Sequence, residues 1–403
     1  MKVKHLIYPL GILLLGISYI IPRKKSKWCF GSNMGFSNNA KYLFLHLCEK
    51  NYGVDCYWIG DKKEVAQIRS FGGKAYNRWS VKGLICQLTS SVYVYNSYVK
   101  DINLFTYGKA IRINLWHGVG IKNIERKITR GPLANIYNNQ IFFNRVMHLN
   151  AFVKPDIMLS TSPLMTQHFS TCFGIEASKC IESIYPRCEI FKKKKAEIIE
   201  FVKRYEPHES LDLIRKLESY EYVFLYMPTW RDCGDYFFYK YQIDLHLINE
   251  SLKESNSFLL IKLHPSSYVE KQFGTFSNVA FINRKIDIYP VMPFTNCLIT
   301  DYSSVLYDYI LLKDVKIILF TPDFDDYIYH SRDLAFPYNE YTCGERVNNM
   351  EGLIKILKSK EFTYSEQTVT YIQTLFWNKS NCTNDTLINE LLKRIANIYG
   401  KRK

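Results

Sequence analysis

The chain alternates short apolar runs with longer amphipathic stretches. Runs of four to eight residues, rich in β-branched and aromatic side chains, occur at Lys27 to Ser32, Val54 to Ile59, Val92 to Tyr95, Ile111 to Trp116 and Ile157 to Ser160. Their hydrophobicity is continuous rather than alternating, which predicts parallel strands covered by helices on both faces. A second series follows at Tyr222 to Met227, Phe258 to Leu263, Val279 to Ile282, Asn296 to Thr300 and Lys316 to Phe320. Between the two lies a charged, helix-prone connector at 191–219 that opens with the basic run Lys192 to Lys195. The pattern predicts an α/β protein with two Rossmann-like doubly wound domains, at 27–203 and 204–370, and a helical segment at 371–403.

The first residues read differently. Leu6 to Ile21 is an apolar run of 16 residues that contains Pro9, Gly11 and Gly16. Lys2 and Lys4 precede it, and Arg23, Lys24, Lys25 and Lys27 follow it. A spanning helix needs about 20 residues, and Tyr19-Ile20-Ile21-Pro22 offers no small-residue cleavage site. Residues 1–26 are therefore expected to be retained as a membrane-associated segment that spans or dips into the bilayer. The denser basic flank sets the rest of the chain on the cytoplasmic face of the cell membrane. A buried first helix is the alternative.

Composition narrows the class. At 403 residues, with 47% hydrophobic and 23% charged positions, the chain is globular and large enough for two cores. A net charge of +15 implies a polyanionic partner: nucleic acid, anionic lipid or a phosphorylated substrate. The 11 cysteines include no C-x-x-C pair, so they read as reduced thiols with no zinc site. The sequons at Asn378, Asn381 and Asn384 read as an Asn- and Thr-rich loop capping the last helix.

In open α/β sheets ligands bind beyond the carboxyl ends of strands, and four motifs fall there. In Trp116-His117-Gly118-Val119-Gly120-Ile121-Lys122, a histidine placed like a general base is followed by glycines that allow close approach of backbone. A structural histidine is the competing reading. In Pro228-Thr229-Trp230-Arg231-Asp232, Arg231 could fork onto phosphate oxygens or simply pair with Asp232. Leu263-His264-Pro265 ends a third strand. Thr300-Asp301-Tyr302-Ser303-Ser304 opens an amphipathic stretch, Val305 to Leu312, as either an anion site at a helix start or an ordinary cap. No P-loop, G-x-G-x-x-G, G-x-S-x-G or H-E-x-x-H is present, so kinases, dehydrogenases, serine hydrolases and zincins recede. Asp323 to Asp326 reads as an acidic turn, and neither a metal nor a cofactor is expected.

In order and separation, these motifs resemble those of the CDP-glycerol glycerophosphotransferase family, the teichoic-acid primases and polymerases also found in capsule synthesis. The matching positions are Trp116 to Lys122, Pro228 to Asp232, Leu263 to Pro265, and Thr300 to Ser304 with Asp308. The resemblance implies a GT-B architecture with the site in the cleft, monotopic attachment to the inner leaflet, and a CDP-linked glycerol or related polyol as donor. It implies a lipid-linked or polymeric acceptor and release of CMP. It makes His117 the base on the acceptor hydroxyl, with Trp116, Gly118 and Lys122 beside it. Arg231, His264, Thr229, Thr300, Asp301, Ser303 and Ser304 would hold the donor phosphates. The chain departs from the family at Val119-Gly120, where Thr-Pro is usual, and at Thr342 to Glu345, where a Gly-Pro segment is usual. The alternatives are a GT-B glycosyltransferase that uses a nucleotide sugar, and a basic non-enzymatic protein of membranes or nucleic acid. No nucleic-acid-binding signature supports the latter.

Overall fold

The computed structural model describes residues 2–139, 141–229, 236–263, 274–283, 286–330 and 333–402. Its first sheet is formed by β1 (Lys24–Gly31), β2 (Asp55–Gly60), β3 (Ala75–Asn77), β4 (Ser90–Tyr95), β5 (Ile111–Asn114), β6 (Ile157–Ser160) and β7 (Cys180–Glu182). These strands lie in the order β3-β2-β1-β4-β5-β6-β7. The second sheet contains β8 (Tyr222–Tyr226), β9 (Ser257–Ile261), β10 (Val279–Phe281), β11 (Cys297–Thr300), β12 (Lys316–Phe320) and β13 (Glu345–Val347), in the order β10-β9-β8-β11-β12-β13. Every described pairing is parallel. All residues of β4, β9 and β11 are buried, as continuous apolar runs require. The chain order reverses between β1 and β4 and again between β8 and β11, and each reversal opens a crevice at the carboxyl ends.

Ten strands fall where the hydrophobic runs place them, with shifted ends. β1 begins at Lys24, inside the stretch expected to belong to the membrane segment. β3, β7 and β13 were not anticipated. Each has three residues at a sheet edge, too short to give a continuous apolar run.

The first helix, Lys2–Ser18, packs on the first half of the molecule. Tyr8 meets Phe105 edge-on at 5.6 Å and donates to the Val146 carbonyl. The Arg23 guanidinium then closes the entry into β1 by donating to the carbonyls of Ser18, Gln87, Ser90 and Thr106. Leu10, Leu13 and Ile17 remain exposed on the helix, as does Ile20 beyond it. No described helix is long and apolar enough to cross a membrane.

The connector folds as helices Lys195–Tyr205 and His208–Leu217. The last helix, Asn384–Lys401, returns to the first half of the molecule. There Asp385 meets His46 Nε2 at 2.6 Å and accepts from Lys50, and Arg394 donates to the Ser178 carbonyl. Thr383 caps this helix and Asn384 is buried, in keeping with the capping reading of the sequons. A buried ion cluster also bridges the two halves: Lys41 pairs with Glu206 and, at 2.9 Å, with Asp287.

Candidate active site

In the second half, β8 lies between β9 and β11, with Tyr226 in register with both Ile261 and Ile299. The strand ends that lead into Pro228 to Asp232, Leu263 to Pro265 and Thr300 to Ser304 are therefore neighbours. Arg231 and His264 themselves lie outside the described residues. Thr229, Thr300 and Asp301 do not line the cavity described below, and their side chains are bonded within the turn. The Thr229 amide donates to Asp301 Oδ1 at 2.9 Å and its hydroxyl to the same oxygen at 2.6 Å, while Thr300 Oγ1 donates to the Met227 carbonyl at 2.8 Å. Asp301 is 1% exposed and also accepts from the Tyr302 amide. These bonds lock the β11 turn to the loop after β8.

The stretch after the turn is shorter than expected. The helix covers only Val305–Tyr309, so its dipole is small. Ser303 Oγ accepts from the Val305 amide at 3.4 Å, the capping alternative, whereas Ser304 makes no side-chain cap bond. Ser304 faces the first half of the molecule: a Cβ built on Gly118 would lie 2.8 Å from its Oγ. Glycine at 118 is what lets the two loops touch.

His117 follows β5, and the end of β4 completes its surroundings. Its Nδ1 lies 3.3 Å from Ser97 Oγ and 3.4 Å from the Asn96 carbonyl. With a proton on Nδ1 the neutral ring donates to the Asn96 carbonyl and leaves Nε2 with a lone pair, whereas the Ser97 hydroxyl can accept from or donate to Nδ1. Burial lowers the imidazole pKa to about 4, with the Arg187 charge adding to the effect. The imidazole is therefore neutral throughout the physiological range. Trp116 is buried, lies against the imidazole with centroids 4.2 Å apart and ring planes tilted by 39°, and packs on Phe173. Its φ of +53° is unusual for so large a residue and is held by two asparagines. Asn114 Oδ1 accepts from the Trp116 amide at 2.8 Å, and Asn39 Nδ2 donates to the Trp116 carbonyl at 2.9 Å.

Between the two faces lies a cavity of about 150 Å³ bordered by His117, Gly118, Gly120, Lys122, His168 and Ser304. Lys122 sits over the Tyr327 ring at 5.5 Å, its backbone bridged to Leu334. The structure thus brings together Trp116, His117, Gly118, Lys122 and Ser304 around one cavity, which Thr229, Thr300, Asp301 and Ser303 do not line. Sequence reasoning missed His168, Asn96, Ser97 and Arg187. Asn96 and Ser97 directly follow β4, so the strand-end rule pointed to them. His168 lies within helix Pro163–Phe173, where no local signal marks it. No described group of three or more acidic, histidine or cysteine residues could hold a metal ion.

Two parallel sheets, with a histidine at one carboxyl edge and a polar turn at the other, define an α/β protein of GT-B-like architecture. The sequence profile of the CDP-glycerol:poly(glycerophosphate) glycerophosphotransferases matches residues 14–390, and the chain belongs to that family. It is an enzyme that moves glycerol phosphate from CDP-glycerol to a glycan-linked acceptor. Among its relatives is a teichoic acid poly(glycerol phosphate) polymerase of Bacillus spizizenii, 25% identical, with 97% of this chain and 98% of the relative aligned. A teichoic acid glycerol-phosphate transferase of Staphylococcus aureus is also 25% identical, over 85% of each chain. In fold, the chain is similar to the wall teichoic acid polymerase TagF, with a TM-score of 0.73, 21% identity and coverage of 99% and 96%. It is more distantly similar to a putative UDP-N-acetylglucosamine 2-epimerase from Listeria monocytogenes, with a TM-score of 0.53, 13% identity and coverage of 92% and 95%.

Proposed function

We propose that His117 is the general base of the transfer. The acceptor hydroxyl gives its proton to Nε2, and its oxygen attacks the glycerol-bearing phosphorus of the CDP-linked donor. The bond from that phosphorus to the bridging oxygen breaks, and CMP leaves with the electron pair. Positioning and charge stabilisation supply most of the rate in such chemistry. The observation that carries this reading is the place of His117 in the shared cavity with Nδ1 against the Asn96 carbonyl and the Ser97 hydroxyl, so that Nε2 is the nitrogen left for the acceptor. Ser304 and Lys122 border that cavity from its two sides. Arg231 and His264 are assigned to the donor phosphates by motif.

The acceptor is lipid-linked or polymeric and is met at the cytoplasmic face of the cell membrane. Support comes from an apolar surface shared by two elements. Leu10, Leu13 and Ile17 on the first helix are exposed, and Phe142 and Phe143 are 80% and 70% exposed at the start of helix Phe142–Met147. The Tyr8 bond to Val146 holds the two helices side by side. Such a face suits docking on one leaflet without spanning it.

The test is release of CMP from CDP-glycerol, CDP-ribitol and nucleotide sugars in the presence of acceptor-bearing membranes. CDP-glycerol is expected to be used best. His117→Ala should lower transfer by about 10²- to 10⁴-fold while leaving CDP affinity nearly unchanged. Because the folded imidazole titrates at about 4, below its usual value, activity should persist below pH 6.5 and fall only as pH approaches the lower value. A His117→Ala enzyme that keeps a tenth of its activity would place the base elsewhere.

A further inference from the structure

Arg187 lies in the 3-10 segment Pro186–Lys192 after β7, far in sequence from every motif, and is 2% exposed. Its Nη2 donates to Asp308 Oδ2 at 2.5 Å, and its Nη1 donates to the His117 carbonyl at 2.9 Å and to Asn38 Oδ1. Asp308 lies on helix Val305–Tyr309, immediately after Ser303 and Ser304, and accepts a second bond from the Tyr289 hydroxyl at 2.6 Å. The Tyr289 ring also stacks beneath the guanidinium, 4.7 Å from its carbon. One planar group thus holds the backbone of the proposed base with one nitrogen and the donor-side helix with another.

Stability does not account for the pair. Both side chains are almost fully buried, and they meet through a single nitrogen–oxygen bond, leaving Arg187 Nε and Asp308 Oδ1 without a hydrogen-bond partner among the described residues. A buried pair of this kind is often no better for stability than apolar residues of similar volume, because desolvation offsets the attraction. Geometry is what the fork supplies. A lysine could reach Asp308 or the His117 carbonyl, but a point charge cannot hold two acceptors at fixed angles.

We propose that Arg187, oriented by Asp308 and Tyr289, is a positioning residue that sets the His117 loop at a fixed distance from the donor-side turn, a role that rests on His117 being the base. Arg187 does not touch the cavity. It acts through the His117 carbonyl, beside the strained Trp116 that Asn39 holds from the same side.

The test uses the full chain with Arg187→Lys, Asp308→Asn and Tyr289→Phe, each of which keeps the volume close to native. Turnover, donor KM, CDP affinity by calorimetry and melting temperature are measured together. Arg187→Lys and Asp308→Asn should lower kcat by about 10- to 100-fold with donor KM and CDP affinity within about twofold, since a misplacement on the order of 1 Å can cost 10²-fold. Tyr289→Phe should have a smaller effect in the same sense. The Arg187→Lys/Asp308→Asn double variant should be no slower than the slower single, because both changes release one contact chain. Wild-type kcat in either single variant would overturn the proposal. So would a fall in CDP affinity that parallels kcat, or losses that multiply in the double variant. His117→Ala separates the two readings: an inactive His117→Ala beside a fully active Arg187→Lys removes only the positioning role, whereas an active His117→Ala removes the base itself.

Discussion

An alanine at position 118 would test the meeting of the two halves directly. Its Cβ would lie 2.8 Å from Ser304 Oγ and 3.1 Å from Ser304 Cβ, both inside the 3.4 Å at which ordinary contact begins. Rotating the hydroxyl relieves the first clash. The second needs backbone movement, because a Cβ has no torsion of its own to turn. Neither loop yields readily: Ser304 leads into a buried helix tied through Asp308 to Arg187, and the Gly118 loop is pinned at Trp116 and His117 by Asn39 and Arg187. Overpacking of this kind costs about 1–3 kcal/mol, and parting the two faces is the way to relieve it. Gly118→Ala should therefore slow CMP release by about 10- to 100-fold, since proton and phosphorus no longer meet in line. CDP affinity should stay within about threefold, because the donor face is intact. The assay is CMP release with acceptor-bearing membranes, with CDP binding followed by calorimetry. Adding Ser304→Gly removes the obstructing atoms and should restore the rate to that of Ser304→Gly alone. Wild-type turnover in Gly118→Ala, or no recovery in the double variant, would show that the close approach at Gly118 plays no part in the reaction.

Two further outcomes follow from the same geometry. Asp301→Ala leaves the Thr229 amide, the Thr229 hydroxyl and the Tyr302 amide without their acceptor, so unfolding free energy should fall by about 2–4 kcal/mol in urea titration; unchanged stability with lost CDP binding would make Asp301 a ligand contact after all. Phe142→Ser with Phe143→Ser should weaken sedimentation with anionic vesicles without lowering the melting temperature, since both rings are already exposed; undiminished vesicle binding would leave the first helix as the sole docking element.

The strand series was legible because a buried parallel strand has to be apolar on both faces, which the runs at Val92 to Tyr95 and Ile157 to Ser160 display. The four motifs were legible because functional residues gather where such runs end, and their order and spacing pointed to the family. Hydrophobic pattern could not reveal the edge strands Ala75–Asn77, Cys180–Glu182 and Glu345–Val347, whose hydrogen bonds form without a continuous apolar run. Nor could it separate the residues that line the site from those that brace it. Thr229 and Asp301 stand in motifs beside Ser304, yet they bond to each other across two neighbouring strands. Arg187 and His168 carry no local mark, because their roles come from contacts more than 40 residues away in sequence. Sequence alone determined ten of the thirteen strands and the motifs that follow their carboxyl ends, since both follow from local periodicity. Tertiary structure alone decided the Nδ1 contacts of His117, which need β4 and β5 to pair, and the close contact at Gly118 and the bridge from Asp308 through Arg187, which need both halves to fold and meet.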